Sequence, residues 1–125
     1  MIIGLGTDIV EVERIAEVVA SHGDNFSRRL FTSAELELAA VRNYDPAFFA
    51  GRWAAKEACA KALGCGIGAQ CSFTDIEILN DRSGSPKLTL SGTALATLEK
   101  LGGRFIHLSI SHERHYATAT VIISR

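Results

Sequence analysis

The chain has 125 residues, a length that suits one domain and leaves no room for a second catalytic domain. Its 13 basic and 14 acidic residues nearly cancel, so the molecule as a whole has no field that attracts nucleic acid or a membrane surface. We therefore expect a single domain over residues 1–125, with no nucleic-acid or membrane partner. Any charged partner must meet a local patch.

Two features of the sequence bear on the cellular compartment. The N-terminal stretch MIIGLGTDIV has no basic segment followed by a long apolar run, and the acidic residue Asp8 arrives early, so a cytoplasmic location is expected. The three cysteines, Cys59, Cys65 and Cys71, have neither CxxC spacing nor paired histidines. We expect them to be reduced thiols rather than disulfides or zinc ligands.

The first part of the chain is predicted to contain a strand and two helices. MIIGLGTDIVEV is typical of a strand, and an amphipathic helix is predicted from near Glu13 to the glycine and asparagine of SHGDN. TSAE then fits a capping box, in which Thr32 and Glu35 exchange hydrogen bonds. A short helix follows and ends near Arg42.

A long central helix is the main element of the predicted fold. Asp45 as N-cap and Pro46 at the first helical position begin it, and Gly64 ends it. SFTDIEILND and KLTLS are predicted strands joined by the turn-forming RSGSP, and GTALATLEKLGG is a predicted helix stopped by paired glycines. FIHLSISH and YATATVIIS complete a hairpin around ERH. The expected fold class is α+β, with mostly antiparallel strand pairing.

The central helix is apolar almost all round, yet it carries Arg52, Lys56, Glu57 and Lys61. At about 100° per residue, Glu57 and Lys61 lie one turn apart on the same side. One interpretation is an ordinary ion pair between these two residues, with Arg52 and Lys56 in solvent. The small apolar neighbours of these charges favour a second interpretation, in which a ligand completes the pair.

The glycines invite comparison with nucleotide-binding loops, but their placement does not fit. A phosphate loop uses a helix N-terminus, whereas GCGIG follows a helix C-terminus, where carbonyl groups face outward. GLGTDI lacks the third glycine of a dinucleotide fingerprint. Gly64 is explained as a helix C-cap, and Gly4 and Gly6 as strand residues closely approached by another backbone.

Two polar groups remain as candidate sites. Asp8 is a carboxylate inside an apolar strand, and with Glu57 it would hold Mg²⁺ through two carboxylates, with phosphate oxygens and water as the other ligands. Alternatively, Asp8 caps a turn or pairs with Arg14. SISH places Ser111 on a strand face and His112 at the hairpin end, which suits either phosphate binding or a plain strand with a turn histidine.

Four blocks of the sequence resemble, in order, the holo-acyl-carrier-protein synthases, the small group of 4′-phosphopantetheinyl transferases. The blocks are GTDIVEVERI, FFAGRWAAKEACAKALGCGIG, SFTDIEILND and SISHERHYATATV. The resemblance runs from end to end and implies that family's fold, an antiparallel sheet with a long central helix. It implies transfer of the 4′-phosphopantetheine arm of coenzyme A to a serine of apo acyl carrier protein, with release of adenosine 3′,5′-bisphosphate, in fatty acid biosynthesis. The alternatives, a non-catalytic coenzyme A-binding module and a structural oligomer, would not need both Asp8 and Glu57.

The resemblance also implies roles for individual residues. Asp8 and Glu57 match the Mg²⁺ ligands, and Lys61 matches the lysine beside the pyrophosphate, where it would stabilise or protonate the leaving phosphate. Glu57, Asp8 or a coordinated water is the candidate base. The residues that match coenzyme A contacts are Arg52, Lys61, Gly64, Gly66, Ser111 and His112.

Partners follow from the same resemblance. The family forms homotrimers with three sites at subunit boundaries, and YATATVIIS has small and apolar residues on both faces, as expected of a covered sheet. Arg14, Arg28 and Arg29 match in part the basic surface that receives the acidic helix of the carrier protein. One departure lies in RNYDPAFF, where relatives often carry a lysine for the 3′-phosphate and this chain offers Arg42.

Overall fold

Alternating apolar residues form five strands, and four helices connect or cover them. The computed structural model describes residues 1–125. None of its helices is both long and apolar enough to cross a membrane. In chain order the elements are β1 (Ile2–Glu11), α1 (Val12–Leu30), α2 (Ser33–Val41), α3 (Pro46–Ala62), β2 (Ile76–Asn80), β3 (Pro86–Leu90), α4 (Gly92–Leu101), β4 (Phe105–His112) and β5 (Tyr116–Ser124).

The strands form a three-stranded sheet in the order β1-β5-β4 and a separate β2-β3 hairpin, and every pairing is antiparallel. Strand side chains alternate between faces, so every second residue of β5 is buried on the inner face of the sheet. The predicted α+β class with antiparallel pairing and a long central helix is confirmed. The buried β5 residues are Ala117, Ala119, Val121 and Ile123.

The central helix α3 lies directly against β1 because the strand presents glycines to it. A Cβ on Gly6 would collide with the carbonyl oxygen of Ala58, and a Cβ on Gly4 would collide with that of Ala62. The two backbones therefore approach each other closely, as predicted. This packing brings Asp8 of β1 against the C-terminal half of α3.

The first helix continues beyond its predicted end. Gly23 has a φ of 75° and interrupts α1 within SHGDN, but the helix resumes and runs to Leu30. The prediction that the helix ends at SHGDN is therefore wrong, although a helix break does occur there. Phe26 and Leu30, which follow the break, pack into an apolar cluster with Val12 and Ile15, so tertiary contacts hold the second part in place.

Two helix starts agree in detail with the predictions. The Thr32 hydroxyl accepts the Glu35 N–H at 3.2 Å, and the Glu35 carboxylate accepts the Thr32 N–H at 2.8 Å, which completes the capping box. Asp45 caps α3 by accepting the Ala47 N–H, and Pro46 occupies the first turn. The predicted starts of α2 and α3 are confirmed.

The strand predicted from SFTDIEILND begins only at Ile76. The preceding residues, Phe73–Asp75, form a short 3₁₀ turn instead. The Asp75 carboxylate accepts hydrogen bonds from the Thr93 hydroxyl and the Ala94 N–H at the start of α4. The same carboxylate accepts the Ser72 N–H at 3.3 Å, so a local capping contact and a distant helix together hold the turn.

Candidate active site

A cleft of about 380 Å³ opens between β1, α1 and α3. It brings together three of the predicted catalytic residues, Asp8 from the strand and Glu57 and Lys61 from the central helix. Arg14 lines the same cleft from the first turn of α1. The cleft therefore combines two acids with two bases. Its other lining residues are Ile9, Val10, Ile15, Val18 and Trp53.

Lys61 pairs with Asp8 rather than with Glu57. Its Nζ donates to Asp8 Oδ1 at 3.1 Å and to the carbonyl oxygen of Thr7 at 3.0 Å. The interpretation of an ordinary ion pair with Glu57 is therefore wrong, and so is the alternative pairing of Asp8 with Arg14. The Lys61 side chain is 51% exposed. Its ammonium is thus anchored on one side and accessible to a ligand on the other.

The second carboxylate oxygen of Asp8, Oδ2, is buried and has no hydrogen-bond partner. Glu57 lines the same cleft, and burial, together with the negative charge of Asp8, raises the pKa of its carboxyl group. Two neighbouring carboxylates, one with a free buried oxygen, favour a cation between them. Mg²⁺ fits, because it takes one or two protein carboxylates and fills its other positions with water and phosphate. No cluster of three or more metal-ligating side chains is present, so the protein would offer these two alone.

Lys56 is fully buried, so the expectation that it lies in solvent is wrong. Its Nζ donates to Glu35 Oε1 at 2.6 Å and to the carbonyl oxygens of Leu30 and Phe73 at 2.8 and 2.9 Å. Burial lowers the pKa of Lys56, and the attraction of Glu35 opposes that effect. Lys56 therefore joins α3 to three other segments and does not face the cleft.

Arg52 is also buried, with 7% of the residue exposed, and no acid lies within ion-pair distance of it. Its Nη2 donates to Asn80 Oδ1 at 3.0 Å, its guanidinium lies 4.4 Å from the centre of the Phe48 ring, and its Nε is buried without a partner. Burial lowers the pKa of Arg52 to about 10; attraction by Glu35 opposes this, and repulsion from Arg42 adds to it. A buried guanidinium without a carboxylate favours an anionic ligand.

The remaining coenzyme A candidates lie outside the cleft. Gly64 and Gly66 have positive φ angles in the loop after α3, with open space around the position of a Cβ. His112 lines a second cleft, of about 550 Å³, beside the N-terminus of α3. Ser111 pairs with Thr118, whose neighbours in β5 are the buried inner-face residues, so Ser111 belongs to the outer face of the sheet. One chain alone does not gather all the predicted residues.

The predicted carrier-protein surface is divided along α1. Arg14 lies in the first turn and lines the cleft, whereas Arg28 and Arg29 lie in the last turn of the helix. Arg28 lines a different cavity, of about 610 Å³, and the break at Gly23 separates the two ends. All three arginines are exposed. Arg14 is the member of this set that borders the candidate active site.

Two polar partners were not identified from the sequence. The TSAE pattern identifies Glu35 as a capping-box residue but gives no sign of its contact with Lys56. Asn80 belongs to the family block SFTDIEILND, and membership of that block is the one sequence feature that marks it. The block does not predict its contact with Arg52. Both contacts join residues that are more than 20 positions apart.

A family model described as the 4′-phosphopantetheinyl transferase superfamily matches residues 4–121. The chain belongs to this superfamily. The holo-[acyl-carrier-protein] synthase of Vibrio cholerae is 51% identical over 125 residues, which cover 100% of this chain and 99% of that relative. Among solved structures, the Neisseria meningitidis synthase matches with a TM-score of 0.91 and 36% identity over 100% of both chains. The Helicobacter pylori synthase in complex with coenzyme A matches with a TM-score of 0.85 and 34% identity, covering 96% of this chain and 99% of that one.

These similarities confirm the resemblance stated from the four sequence blocks, the fold class, and the prediction that the chain is an enzyme of the phosphopantetheinyl transferase type. They compare whole chains and do not test individual side chains. The role of each residue in this phosphopantetheinyl transferase therefore stays a prediction. The cytoplasmic location and the single domain over residues 1–125 also stay predictions.

Proposed function

We propose that this transferase moves the 4′-phosphopantetheine arm of coenzyme A onto a serine of apo acyl carrier protein and releases adenosine 3′,5′-bisphosphate. The predicted reaction is confirmed at the level of the family by the synthase relatives. Its dependence on Mg²⁺, held by Asp8 and Glu57, is our proposal. The observation that carries it is the buried, unpartnered Oδ2 of Asp8 in a cleft shared with Glu57 and Lys61.

Asp8 and Glu57 would hold the ion, which when bound would neutralise charge on the pyrophosphate of coenzyme A. Glu57 is also the preferred candidate to accept the proton of the attacking serine. It lines the cleft that the serine must enter, where its carboxylate can reach the serine hydroxyl. Asp8, whose Oδ1 already accepts from Lys61, has less free capacity.

Lys61 is suited to stabilise the leaving phosphate. An ammonium group has three donor hydrogens, and two of them are directed to Asp8 and the Thr7 carbonyl oxygen. The third remains available to a phosphate oxygen on the exposed side of the residue. Because negative charge grows on that oxygen as the P–O bond breaks, a donor fixed in place beforehand lowers the barrier.

We also propose a homotrimer with active sites at subunit boundaries. Ser111 and His112 do not reach the cleft of their own chain, and a neighbouring subunit would bring them there. The outer face of the three-stranded sheet leaves large apolar side chains in water, which favours a covering subunit. The exposed apolar residues on that face include Leu5, Ile9, Phe105 and Tyr116. Light scattering in solution tests this assembly, and a stable monomer with full activity would contradict it.

We assign the arginines to the two substrates. Arg52 and its neighbour Arg42 would bind a phosphate of coenzyme A, and Arg42 would take the place of the lysine that relatives often carry. Arg14, at the edge of the cleft, would meet the acidic helix of the carrier protein, and Arg28 and Arg29 would extend that contact. Gly64 and Gly66 would allow the nucleotide to approach the loop after α3.

In the deciding experiment, the chain is incubated with apo carrier protein and coenzyme A. The mass that the carrier protein gains from the phosphopantetheine arm is then measured. We expect Asp8→Ala and Glu57→Ala each to abolish nearly all transfer and calorimetric Mg²⁺ binding while the melting curve stays close to wild type. Glu37→Ala removes an exposed acid from α2 and is the matched control. Near-normal turnover of either cleft variant at saturating Mg²⁺ would contradict the metal assignment. Coenzyme A binding without any mass gain would instead favour the non-catalytic binding module.

A further inference from the structure

Asn80 is the last residue of β2 and pairs with Pro86, the first residue of β3. Its side-chain oxygen accepts the one side-chain hydrogen bond that Arg52 makes within the protein. An amide oxygen orients a guanidinium but leaves its positive charge intact. Buried charges are normally paired with an opposite charge, so this arrangement is not explained by the stability of the fold.

The other neighbours of Arg52 hold it in place without neutralising it. The Phe48 ring attracts the cation through its π face but has no net negative charge. Glu35, the acid whose charge reaches Arg52, is already bonded to Lys56 at 2.6 Å. Arg42 adds further positive charge to the region. The surroundings therefore leave an oriented positive charge for a ligand.

We infer that Asn80 is a positioning residue, which orients the Arg52 guanidinium to receive the 3′-phosphate of coenzyme A. This inference rests on the proposed function and gives a role to Asn80, which the family resemblance did not assign. A phosphate monoester suits the site because its double negative charge matches Arg52 together with Arg42. The adenine ring is neutral and would not use an uncompensated guanidinium charge.

Substitution of Asn80 by aspartate separates orientation from charge. Asp has nearly the same shape as Asn, so Asn80→Asp keeps the contact with Arg52 but neutralises the guanidinium before a ligand arrives. Asn80→Ala removes the contact and leaves the charge unchanged. Asn25→Asp makes the same change of charge on α1 and is the matched control. Each variant is titrated calorimetrically with coenzyme A and with 3′-dephospho-coenzyme A, which lacks the monoester.

We expect Asn80→Asp to weaken coenzyme A binding by about tenfold or more, because the charge-assisted hydrogen bond between the Arg52 guanidinium and the 3′-phosphate is lost. Binding of 3′-dephospho-coenzyme A should change by less than about twofold, since that ligand never makes the contact. Asn80→Ala should show the same selectivity with a smaller loss, about threefold, because the charge remains but its orientation is free. Asn25→Asp should leave both affinities as in the wild-type chain.

Equal losses for the two ligands in Asn80→Asp would indicate general damage to the fold and would overturn the inference. Unchanged affinity for both would also overturn it, because Arg52 would then not meet the monoester. If Asn80→Asp does not fold, Asn80→Ala decides in the same way, by a selective or an equal loss. A wild-type chain that binds neither ligand would contradict the proposed function itself, so the two failures are distinguishable.

Discussion

The ammonium group of Lys56 lies 2.6 Å from a carboxylate oxygen of Glu35, and neither side chain is exposed to solvent. The other Glu35 oxygen accepts the N–H of Ile78 at 2.9 Å. Lys56 also donates to the carbonyl oxygens of Leu30 and Phe73. The pair therefore connects α2 and α3 with the end of α1, the 3₁₀ turn and the middle of β2. It fixes the position of the helix that carries the candidate catalytic residues.

Removing one member of this pair should destabilise the fold strongly. Lys56→Met leaves the Glu35 carboxylate buried without a counter-charge, which typically costs about 3–5 kcal/mol. Urea unfolding measures the loss, and Glu37→Gln, an exposed change on the same helix as Glu35, should stay within about 0.5 kcal/mol of wild type. The double variant Glu35→Leu/Lys56→Met should lose less than Lys56→Met alone, because no charge remains buried. A single-variant loss below about 1 kcal/mol would contradict the buried pair.

Gly6→Ala should separate β1 from α3. The added methyl group would collide with the Ala58 carbonyl oxygen, so the strand must move, at a cost of about 1–3 kcal/mol or more. Transfer activity should fall as well, because Asp8 lies two residues further along the strand. Gly68→Ala is the control for stability, since no atom lies within 4 Å of its added Cβ. Similar melting temperatures for the two variants would contradict the close approach of strand and helix.

Lys61→Met should reduce the chemical rate far more than the stability. Losing one preorganised donor to a developing negative charge typically costs about 10²–10³-fold in kcat. The ion pair with Asp8 is half exposed on the lysine side, so its loss should cost about 1 kcal/mol or less. Lys61→Arg should rescue the rate only in part, because arginine does not readily donate a proton. Single-turnover transfer and melting curves are measured together, and a normal rate with reduced stability would leave Lys61 as a structural partner of Asp8.

Arg14→Glu should raise the apparent KM for the carrier protein much more than that for coenzyme A, and Arg29→Glu should act in the same direction. The difference should shrink with added salt, since the screening length falls from about 10 Å at 0.1 M to about 3 Å at 1 M. Lys100→Glu, an exposed charge reversal on α4, provides the control. Equal increases for both substrates would place Arg14 at the nucleotide instead of the carrier protein.

The sequence by itself determined the features whose signals are local. The capping box of Thr32 and Glu35, the N-cap of α3 at Asp45 and the left-handed Gly64 that follows its C-terminus each depend on contacts within a few residues. The family was predictable too, because four blocks follow one another in the expected order. Even the close approach at Gly6 was anticipated, since a glycine inside a strand often marks a point where another backbone comes near.

Only the tertiary structure decided which charges meet. Lys61 lies one helical turn from Glu57 but pairs with Asp8, 53 residues earlier, and Arg52 bonds to Asn80, 28 residues later. The division of the predicted coenzyme A residues between two faces of the sheet was likewise not predictable. Helical periodicity reports which side of one element a residue occupies, but not which other element packs there. Partners distant in the chain are selected by that packing, so they leave no periodic pattern in the sequence.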